Sequence, residues 1–483
     1  MGNILKTINS SKKKYANREA IVYREGNDYK NISYKELYEY ITSLAFHLDK
    51  FKGKTIAIIG NNKLEYVVSL LSVLSYIGDA FLIDKELSEE DINVIFKNRK
   101  PDLIILDDEL SLSFSKYKTL RFSDVTKKMK DKKDYKASSG FAGNLILHTS
   151  GTTGVPKCVV LDEKNYFGVI PELNKKWQVV CEQSCLLIIP LYHIYALVCL
   201  FHGLYAGIAN ILEWDFKNLN KVLVETKPAL FMGVPLMYNK IKDVAMEKAG
   251  SKIKFGIALS NFLLKFKIDI RKKLFVDLHN YFGGNYVFGC SAGSLLPYET
   301  NKFFNDVGLP VYNVYGMTET SGPIAINYAD HNIYESVGEI LDVNKVKIIN
   351  EDENGIGEVY VKGSNVFKGY IGDKDKNYIL DGYFDTGDLG YVKDNFLYIC
   401  GRKKNILIGA NGKNISPLEL RDKILKSKQI HDCKIVMEDN KLVAYVNTTL
   451  NKEEVEKFIA KVNKGLPKYK QISKVEITEK NLK

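Results

Sequence analysis

Short apolar runs alternate with longer amphipathic stretches over the first three quarters of the chain. The runs at 54–60 (KTIAIIG), 101–106 (PDLIIL) and 228–234 (PALFMGV) have the length and composition of buried strands. Between them lie segments such as 62–78 (NKLEYVVSLLSVLSYIG), whose apolar residues suit a helix that packs on a sheet. Strands that alternate with helices predict an α/β fold with mainly parallel, helix-covered sheets.

The pattern changes near residue 355 to short strands separated by Gly, Asp and Asn turns. A helical stretch at 418–427 and a strand at 441–447 follow. We therefore predict a large N-terminal domain, residues 1–401, that ends in a small β-subdomain. A small α+β domain, residues 402–483, follows after a charged turn.

One segment, 184–212, contains no Asp, Glu, Lys or Arg and is longer than the ~20 residues that cross a bilayer. Pro190, His193 and Gly203 interrupt it, however. Because strands of a sheet covered on both faces are continuously apolar, we predict a buried strand, a loop, a packed helix and a second strand. A membrane-spanning helix is the alternative.

Composition places the chain among ordinary globular proteins, with 483 residues, 45% hydrophobic and 26% charged. The seven cysteines show no paired short spacing, which argues against a disulfide framework and favours a reducing, cytoplasmic location. The net charge of +11 comes mostly from scattered lysines, which are typical of a solvated surface. The same charge would attract anionic partners such as a nucleotide, coenzyme A, an acidic carrier protein or a lipid surface.

Residues 148–157 (HTSGTTGVPK) combine hydroxyls and unhindered backbone amides with a single lysine. Such a cluster of donors followed by a cation is typical of a phosphate-binding loop. It is not the P-loop that requires Gly-Lys-Ser/Thr, because Val155 and Pro156 precede Lys157 and Cys158 follows it. A generic Ser/Gly turn is the alternative for this stretch alone.

Three further stretches follow in order: 312–322 (YNVYGMTETSG), 383–392 (YFDTGDLGYV) and 401–420 (GRKKNILIGANGKNISPLEL). Together with 148–157 they resemble the adenylate-forming superfamily of acyl- and aryl-CoA synthetases, luciferases and peptide-synthetase adenylation domains. The resemblance extends from about residue 34 to 467 and is closest in style to fatty acyl-CoA synthetases. It implies a large AMP-binding domain followed by a small, mobile C-terminal lid.

The resemblance also implies a two-step ligase reaction. A carboxylic acid would attack the α-phosphate of ATP to give acyl-AMP and pyrophosphate, and a thiol would then take the acyl group. Because charge develops on phosphoryl oxygens, positioning and electrostatic stabilisation would dominate the first step. ATP, Mg²⁺ and coenzyme A are the implied cofactors and co-substrates.

The resemblance also assigns roles to individual residues, at the positions that match the family's motifs. The phosphate-binding loop would comprise Thr149, Ser150, Gly151, Thr152, Thr153, Gly154 and Lys157. Thr318 would contact the α-phosphate and Glu319 would hold Mg²⁺, a hard cation that prefers oxygen ligands. Asp388 and Arg402 would contact the ribose, and Lys404 occupies the hinge position. A lysine ion pair at Glu319 and a turn cap at Asp388 are the structural alternatives.

The remaining candidates line the implied nucleotide and acyl pockets. They are Ser291, Ala292 and Gly293, followed by Tyr315, Gly316 and Met317 in the 312–322 stretch. Asn313 would contact adenine or would serve a turn. His193 would stand beside the acyl and thioester site or would be a core histidine. Gly412 would lie on the face presented to the thiol.

The absence of an acidic residue from one segment narrows the range of carboxylic acid substrates. Adenylation domains that select amino acids carry an acidic residue for the substrate ammonium, and 189–200 (IPLYHIYALVCL) contains none. Burying an unpaired ammonium there would cost several kcal/mol. A fatty acid is therefore favoured and an aryl acid stays open, without an indication of chain length.

The acceptor and the strength of catalysis stay open. Coenzyme A leads as acceptor, and a phosphopantetheinyl carrier protein is the alternative. The Gly-Lys segment that ends family members does not follow the KVEI strand, and neither Lys480 nor Lys483 can be equated with its lysine. We therefore expect a truncated chain or slow adenylation, with a weakly catalytic nucleotide-binding homologue as the third alternative. No nucleic-acid partner or transmembrane helix is expected, and peripheral membrane contact stays open.

Overall fold

The computed structural model describes residues 3–135, 142–149, 157–372, 378–405, 407–408, 414–415, 417–425, 427, 429–438 and 441–478. The chain divides into two compact units. The first comprises Met1–Lys345 and Lys362–Asn377, and the second comprises Val346–Val361 and Tyr378–Lys483. The predicted division at residues 401 and 402 stays a prediction.

The first unit contains two sheets whose strands have the following bounds. The six-stranded sheet is formed by β3 (Thr55–Ile59), β4 (Asp79–Ile83), β5 (Leu103–Leu106), β6 (Thr119–Arg121), β7 (Leu145–Thr149) and β8 (Lys157–Leu161). The larger sheet is formed by β1 (Glu19–Glu25), β2 (Asp28–Ser33), β9 (Ser184–Leu187), β10 (Ala209–Leu212), β11 (Leu230–Gly233), β12 (Phe288–Ser291), β13 (Val311–Met317), β14 (Gly322–Ile326) and β15 (Gly338–Ile340).

Strand order explains why these sheets are apolar. The first sheet runs β6-β5-β3-β4-β7-β8 and is parallel except for the β7–β8 hairpin. The second runs β15-β14-β13-β12-β11-β9-β10-β1-β2, with parallel pairing from β13 to β1. Parallel strands are buried on both faces, and β3, β9, β10 and β11 accordingly consist almost entirely of buried apolar residues.

Helices cover these sheets. They are α1 (Asn3–Tyr15), α2 (Tyr34–Leu48), α3 (Leu64–Ser72), α4 (Glu89–Asn98), α5 (Phe122–Met129), α6 (Glu163–Gly168), α7 (Ile170–Trp177), α8 (Ile194–Ala206), α9 (Leu219–Thr226), α10 (Pro235–Ala249), α11 (Ser251–Leu264), α12 (Arg271–Leu274), α13 (Val276–Tyr281) and α14 (Tyr298–Asp306). The predicted α/β fold with helix-covered, mainly parallel sheets is confirmed.

The uncharged segment 184–212 folds as predicted, into strand β9, a loop, helix α8 and strand β10. Helix α8 has 13 residues, and almost all of them are buried. Among the residues that the structure describes, no helix has both the length and the apolar composition needed to cross a membrane.

The second unit is a smaller α+β assembly. Its strands are β16 (Asn344–Ile349), β17 (Gly357–Gly363), β18 (Ile379–Leu380), β19 (Tyr383–Lys393), β20 (Phe396–Arg402), β21 (Leu407–Ile408), β22 (Asn414–Ile415), β23 (Ile430–Glu438), β24 (Lys441–Thr448) and β25 (Lys474–Ile477), and its helices are α15 (Pro417–Ile424) and α16 (Lys452–Lys464). The helix predicted at 418–427 and the strands at 441–447 and KVEI are present. Their apolar residues, including Leu420, Ala444 and Val475, share one core.

Candidate active site

The carboxyl ends of neighbouring parallel strands in the first unit surround an apolar cavity of about 300 Å³. Ligands of α/β proteins bind at this edge of the sheet. The cavity is lined by Trp177, Ile189, His193, Ile194, Tyr195, Val198, Cys199, Val234, Ala292, Gly293, Val314, Gly316, Met317, Thr318, Gly322 and Pro323. Six sequence-predicted residues, His193, Ala292, Gly293, Gly316, Met317 and Thr318, are thus brought together.

Two glycines shape this wall. Gly293, just beyond β12, has a φ of +87°, a conformation that glycine adopts without steric cost. A Cβ at Gly316 would lie 1.9 Å from the carbonyl oxygen of Gly322, so only glycine permits the close approach of β13 and β14. The narrow β13–β14 hairpin holds Met317 and Thr318 at the cavity.

The described lining contains no Asp, Glu, Lys or Arg. An apolar surface of this kind favours burial of a hydrocarbon group. A ligand with an ammonium at this depth would find no charge partner in the described lining. That amino acids are disfavoured as substrates stays a prediction.

His193, which immediately precedes α8, and His202, which lies within it, occupy contrasting environments. His193 immediately precedes the helix, is exposed and lines the cavity. Desolvation lowers the pKa of this histidine, and nearby Asp84 partly offsets the shift. His202 is enclosed against Trp177, and burial lowers its pKa to about 4. His202 is therefore the core histidine of this segment.

The β7–β8 hairpin holds the two described ends of the predicted phosphate-binding loop side by side. Thr149 pairs with Lys157 in the antiparallel register. The remaining residues predicted for this loop, Ser150, Gly151, Thr152, Thr153 and Gly154, lie outside the described residues. Burial lowers the pKa of His148, next to Thr149, and nearby Asp84 partly offsets this shift.

Tyr370 connects this hairpin to the turn that carries Glu319. Its hydroxyl donates a 2.8 Å hydrogen bond to Glu319 Oε1, and Lys157 Nζ lies 4.8 Å from its ring centroid. That separation permits a cation–π contact. Two of the predicted stretches thus meet at one aromatic side chain.

Backbone contacts fix the segment that bears Tyr370. Ile371 donates its backbone N–H to the carbonyl of Cys158 at 3.0 Å, and Phe367 donates to the carbonyl of Glu319 at 2.8 Å. Asn365 donates its side-chain amide to the carbonyl of Thr320 at 2.9 Å. These contacts place Tyr370 between β8 and the 3₁₀ turn Thr318–Thr320.

Sequence reasoning missed Tyr370. The stretch 366–372 (VFKGYIG) has no acid and a single lysine, so its chemistry is not conspicuous. The only local signal is the pair of glycines, Gly369 and Gly372, on either side of Tyr370 and Ile371, because glycines often occur where the backbone follows an unusual path. The contact itself depends on tertiary structure.

Glu319 is the predicted Mg²⁺ ligand and is buried, with 7% of its surface exposed. The bond from Tyr370 engages its Oε1 atom. No group of three or more His, Cys, Asp or Glu side chains that could hold a metal ion occurs among the described residues. Magnesium commonly uses one or two carboxylates together with substrate phosphates and water, so one carboxylate fits this ion.

Three predicted residues stand behind the cavity wall. Asn313 is buried in β13, not in a turn, and donates its side-chain amide to the carbonyl of Ser336 at 3.0 Å. Ser291 pairs with Asn313 in the parallel register, and its buried Oγ has no hydrogen-bond partner among the described residues. Tyr315 is partly buried on β13 and is not among the lining residues.

The second unit holds the remaining candidates. Asp388 on β19 pairs with Arg402 on β20 in the antiparallel register, and Arg402 Nε lies 2.9 Å from Asp388 Oδ1. Asp388 is buried and Arg402 is about half exposed. Lys404 lies exposed in the 3₁₀ turn Lys403–Asn405, and Gly412 lies outside the described residues. The ion pair joins the two residues assigned to the ribose.

Comparison with known proteins identifies relatives. Two curated relatives are the long-chain-fatty-acid–CoA ligase ACSBG2 of Xenopus laevis, 26% identical over 89% of this chain and 66% of the relative, and the 2-succinylbenzoate–CoA ligase of Lactococcus lactis, 24% identical over 95% and 94%. The chain spans between half and two thirds of the length of several long-chain-fatty-acid relatives.

Solved structures share the fold. The unliganded O-succinylbenzoate coenzyme A synthetase of Bacillus subtilis superimposes with a TM-score of 0.78 at 20% identity, over 99% of both chains. A model of the family described as AMP-binding enzyme matches residues 8–371, about three quarters of the sequence. The resemblance to the adenylate-forming superfamily is thereby confirmed, and the chain belongs to the AMP-binding enzyme family.

Proposed function

We propose that this protein is an AMP-forming acid–thiol ligase that uses ATP and Mg²⁺ to activate a carboxylic acid and then transfers the acyl group to coenzyme A. The observation that carries the proposal is the contact of Tyr370 with both Lys157 and Glu319. It brings a cation and a carboxylate from two distant stretches together in a unit whose apolar cavity is lined by the neighbouring Thr318.

Each of these side chains has a role in the first step. Lys157 supplies positive charge for the β- and γ-phosphates, and Thr318 offers a hydroxyl to the α-phosphate. Glu319 holds Mg²⁺, which neutralises charge on the phosphates when it is bound. Tyr370 is a positioning residue, because its hydrogen bond orients the Glu319 carboxylate. In the second unit, Asp388 and Arg402 keep the proposed role of ribose contacts.

The second step requires a thiol to attack the activated carbonyl and expel AMP. His193 lines the cavity, and its lowered pKa favours the neutral imidazole at pH 7. A neutral ring avoids placing a fixed charge beside the apolar acyl group. His193 is thus suited to a position next to the acyl carbonyl. Lys404 keeps the proposed role of a hinge residue.

A fatty acid is the substrate that the cavity favours. Its wall includes Ile189, Val198 and Val234, and each methylene buried against such residues contributes about 0.8 kcal/mol. The alternative is an aryl acid, because Trp177 and Tyr195 offer aromatic surface and 2-succinylbenzoate–CoA ligases are among the relatives. The cavity volume of about 300 Å³ is at the lower end of the range of volumes of ligand pockets in proteins.

The proposal is tested by product identification with separate acceptors. Purified protein, ATP and Mg²⁺ are incubated with a fatty acid and either coenzyme A or a phosphopantetheinyl carrier protein, and AMP and thioester are measured by mass spectrometry. The proposal expects acyl-CoA and an equal amount of AMP. Exclusive loading of the carrier protein would favour the alternative acceptor. ATP binding without AMP formation from any acid would indicate a homologue that has lost catalysis.

A further inference from the structure

Helix α11 buries only a narrow face against its neighbours. Ile253, Gly256 and Ser260 are its buried positions. Gly256 lies against Phe275, to which an added Cβ would come within 3.0 Å. Asn261 donates a side-chain hydrogen bond to Asp306 on α14 at 3.2 Å. The helix is therefore anchored on one side.

The opposite side of α11 is apolar and exposed. We name Phe255, Leu259, Phe262 and Phe266 the apolar stripe; their exposed fractions are 72%, 36%, 55% and 62%. At about 100° per residue, the first three fall within roughly 60° of one another around the helix axis. Phe266 follows just beyond the helix, with its ring 5.3 Å from that of Phe262. Contiguous exposed aromatic surface of this kind marks an interaction site.

The surroundings of the stripe are strongly basic. From Lys248 to Lys273 the chain carries eight Lys or Arg residues and a single acid. That acid, Asp269, is itself paired with Arg271 at 2.6 Å. Lys252, Lys254, Lys265 and Lys267 are exposed and flank the stripe in sequence. The surface thus combines an apolar centre with a cationic border.

We propose that the apolar stripe and its lysines form a peripheral binding surface for an anionic phospholipid bilayer. A helix with aromatic residues on one side and lysines at the border can lie in the membrane interface, with the rings in the acyl boundary. Lysines near anionic headgroups add attraction that falls off within a Debye length. A second copy of this chain fits the surface less well, because symmetric pairing would bring two basic borders together.

Vesicle sedimentation of the purified full chain tests the proposal. Vesicles of phosphatidylcholine alone are compared with vesicles that also contain phosphatidylglycerol. We expect binding to the anionic vesicles that weakens as salt is raised. The double variant Phe255→Ser/Phe262→Ser should bind at least roughly tenfold more weakly, because two large apolar side chains are removed. Unchanged binding by this variant would overturn the proposal.

A matched variant separates this surface from exposed aromatic residues in general. Phe46 lies on α2 and is 47% exposed, so Phe46→Ser should leave vesicle binding unchanged. The double variant Lys254→Gln/Lys265→Gln should lose the preference for anionic vesicles while it keeps weak binding. If Phe46→Ser weakens vesicle binding as much as Phe255→Ser/Phe262→Ser does, the membrane-binding surface is not on α11.

A third variant and a measurement of oligomeric state separate membrane binding from misfolding and from binding of a second copy of this chain. Phe255→Trp preserves the apolar surface, and its added emission should shift to shorter wavelength only with anionic vesicles. Sedimentation velocity without vesicles should show a monomer for all variants. A dimer that dissociates in Phe255→Ser/Phe262→Ser would overturn the membrane proposal in favour of self-association. Because no ATP or acid is present, these outcomes are independent of the proposed catalysis.

Discussion

The hydroxyl of Tyr370 donates a hydrogen bond to Glu319 Oε1 across 2.8 Å, although 51 residues separate the two in sequence. The same ring lies 4.8 Å from Lys157 Nζ. One tyrosine therefore contacts a cation from the β7–β8 hairpin and a carboxylate from the turn after β13. This arrangement gives Glu319 a fixed orientation beside the residues that we assign to phosphate.

Replacing Tyr370 tests the positioning role. We predict that Tyr370→Phe lowers the maximal rate of acyl-AMP formation about tenfold and raises the Mg²⁺ concentration for half-maximal rate. The reason is that a hydrogen bond to a charged group contributes about 1.5–3 kcal/mol. Pyrophosphate exchange measured over a Mg²⁺ series gives both quantities.

The control for Tyr370 is a second tyrosine that donates to a glutamate. The hydroxyl of Tyr29 lies 2.7 Å from Glu213 Oε2 in the same unit. Tyr29→Phe removes a comparable bond and should leave the Mg²⁺ dependence unchanged. A Mg²⁺ requirement for Tyr370→Phe that equals that of Tyr29→Phe would show that Tyr370 has only a structural role.

The ion pair of Asp388 and Arg402 leads to a prediction about ATP affinity. Asp388→Asn should raise the half-saturating ATP concentration about tenfold and change the maximal rate less, because charged acceptors bind hydroxyl donors more strongly than neutral ones. Asp432→Asn is the matched control, since Asp432 also lies 2.9 Å from an arginine, Arg421, in the second unit. If both variants alter ATP dependence equally, Asp388 has no specific role.

The cavity wall leads to a prediction about chain length. Val198→Phe places a larger side chain in the apolar cavity. Activity with long fatty acids should fall at least roughly tenfold more than activity with short ones. The reason is that each methylene excluded from the cavity loses about 0.8 kcal/mol of burial free energy. Rates for a series of acids measure this ratio. Val180→Phe, at an exposed valine, should leave the ratio unchanged.

Burial of His202 leads to a prediction about stability and pH. Its pKa is about 4 in the folded chain, below the ordinary value of 6.5, so the unfolded chain binds more protons between these pH values. The folded chain is therefore most stable, as far as His202 is concerned, above pH 6.5. This contribution to the free energy of unfolding is lost as the pH falls from 6.5 toward 4. This histidine alone should lower the free energy of unfolding by about 2 kcal/mol between pH 7 and 5.

Urea unfolding at pH 7 and 5 measures this loss. Both tryptophans, Trp177 and Trp214, belong to the first unit, so their fluorescence reports its unfolding. His202→Phe should reduce the loss between the two pH values by the stated amount. His431→Gln, at an exposed histidine, should leave it unchanged. An identical pH dependence in His202→Phe would contradict the burial argument.

Much of the fold follows from local patterns. Segments 54–60 and 184–212 are predicted correctly, because strands buried on both faces must be apolar along their whole length. The helix predicted at 62–78 is present, but it ends in a π-helical turn, Val73–Ile77, that hydrophobic periodicity does not distinguish. Local patterns thus identify elements more readily than the details of their ends.

The site is only partly accessible to such reasoning. Thr318, Gly293 and His193 could be selected because each lies in a conspicuous stretch, and the structure brings them to one cavity. Tyr370 could not, because its importance arises from an antiparallel bridge with Val159 and a hydrogen bond to Glu319. Contacts between segments far apart in sequence depend on how the elements pack.

Adenylation of a carboxylic acid is the first step of the proposed reaction. Pyrophosphate exchange into ATP, measured across fatty, aryl and amino acids, tests it most directly. We predict exchange that requires Mg²⁺ and a carboxylic acid, is fastest with fatty acids, and falls in Lys157→Gln. Exchange that is absent with every acid would show that the chain does not adenylate carboxylic acids, and exchange that is fastest with amino acids would show that the substrate is misassigned.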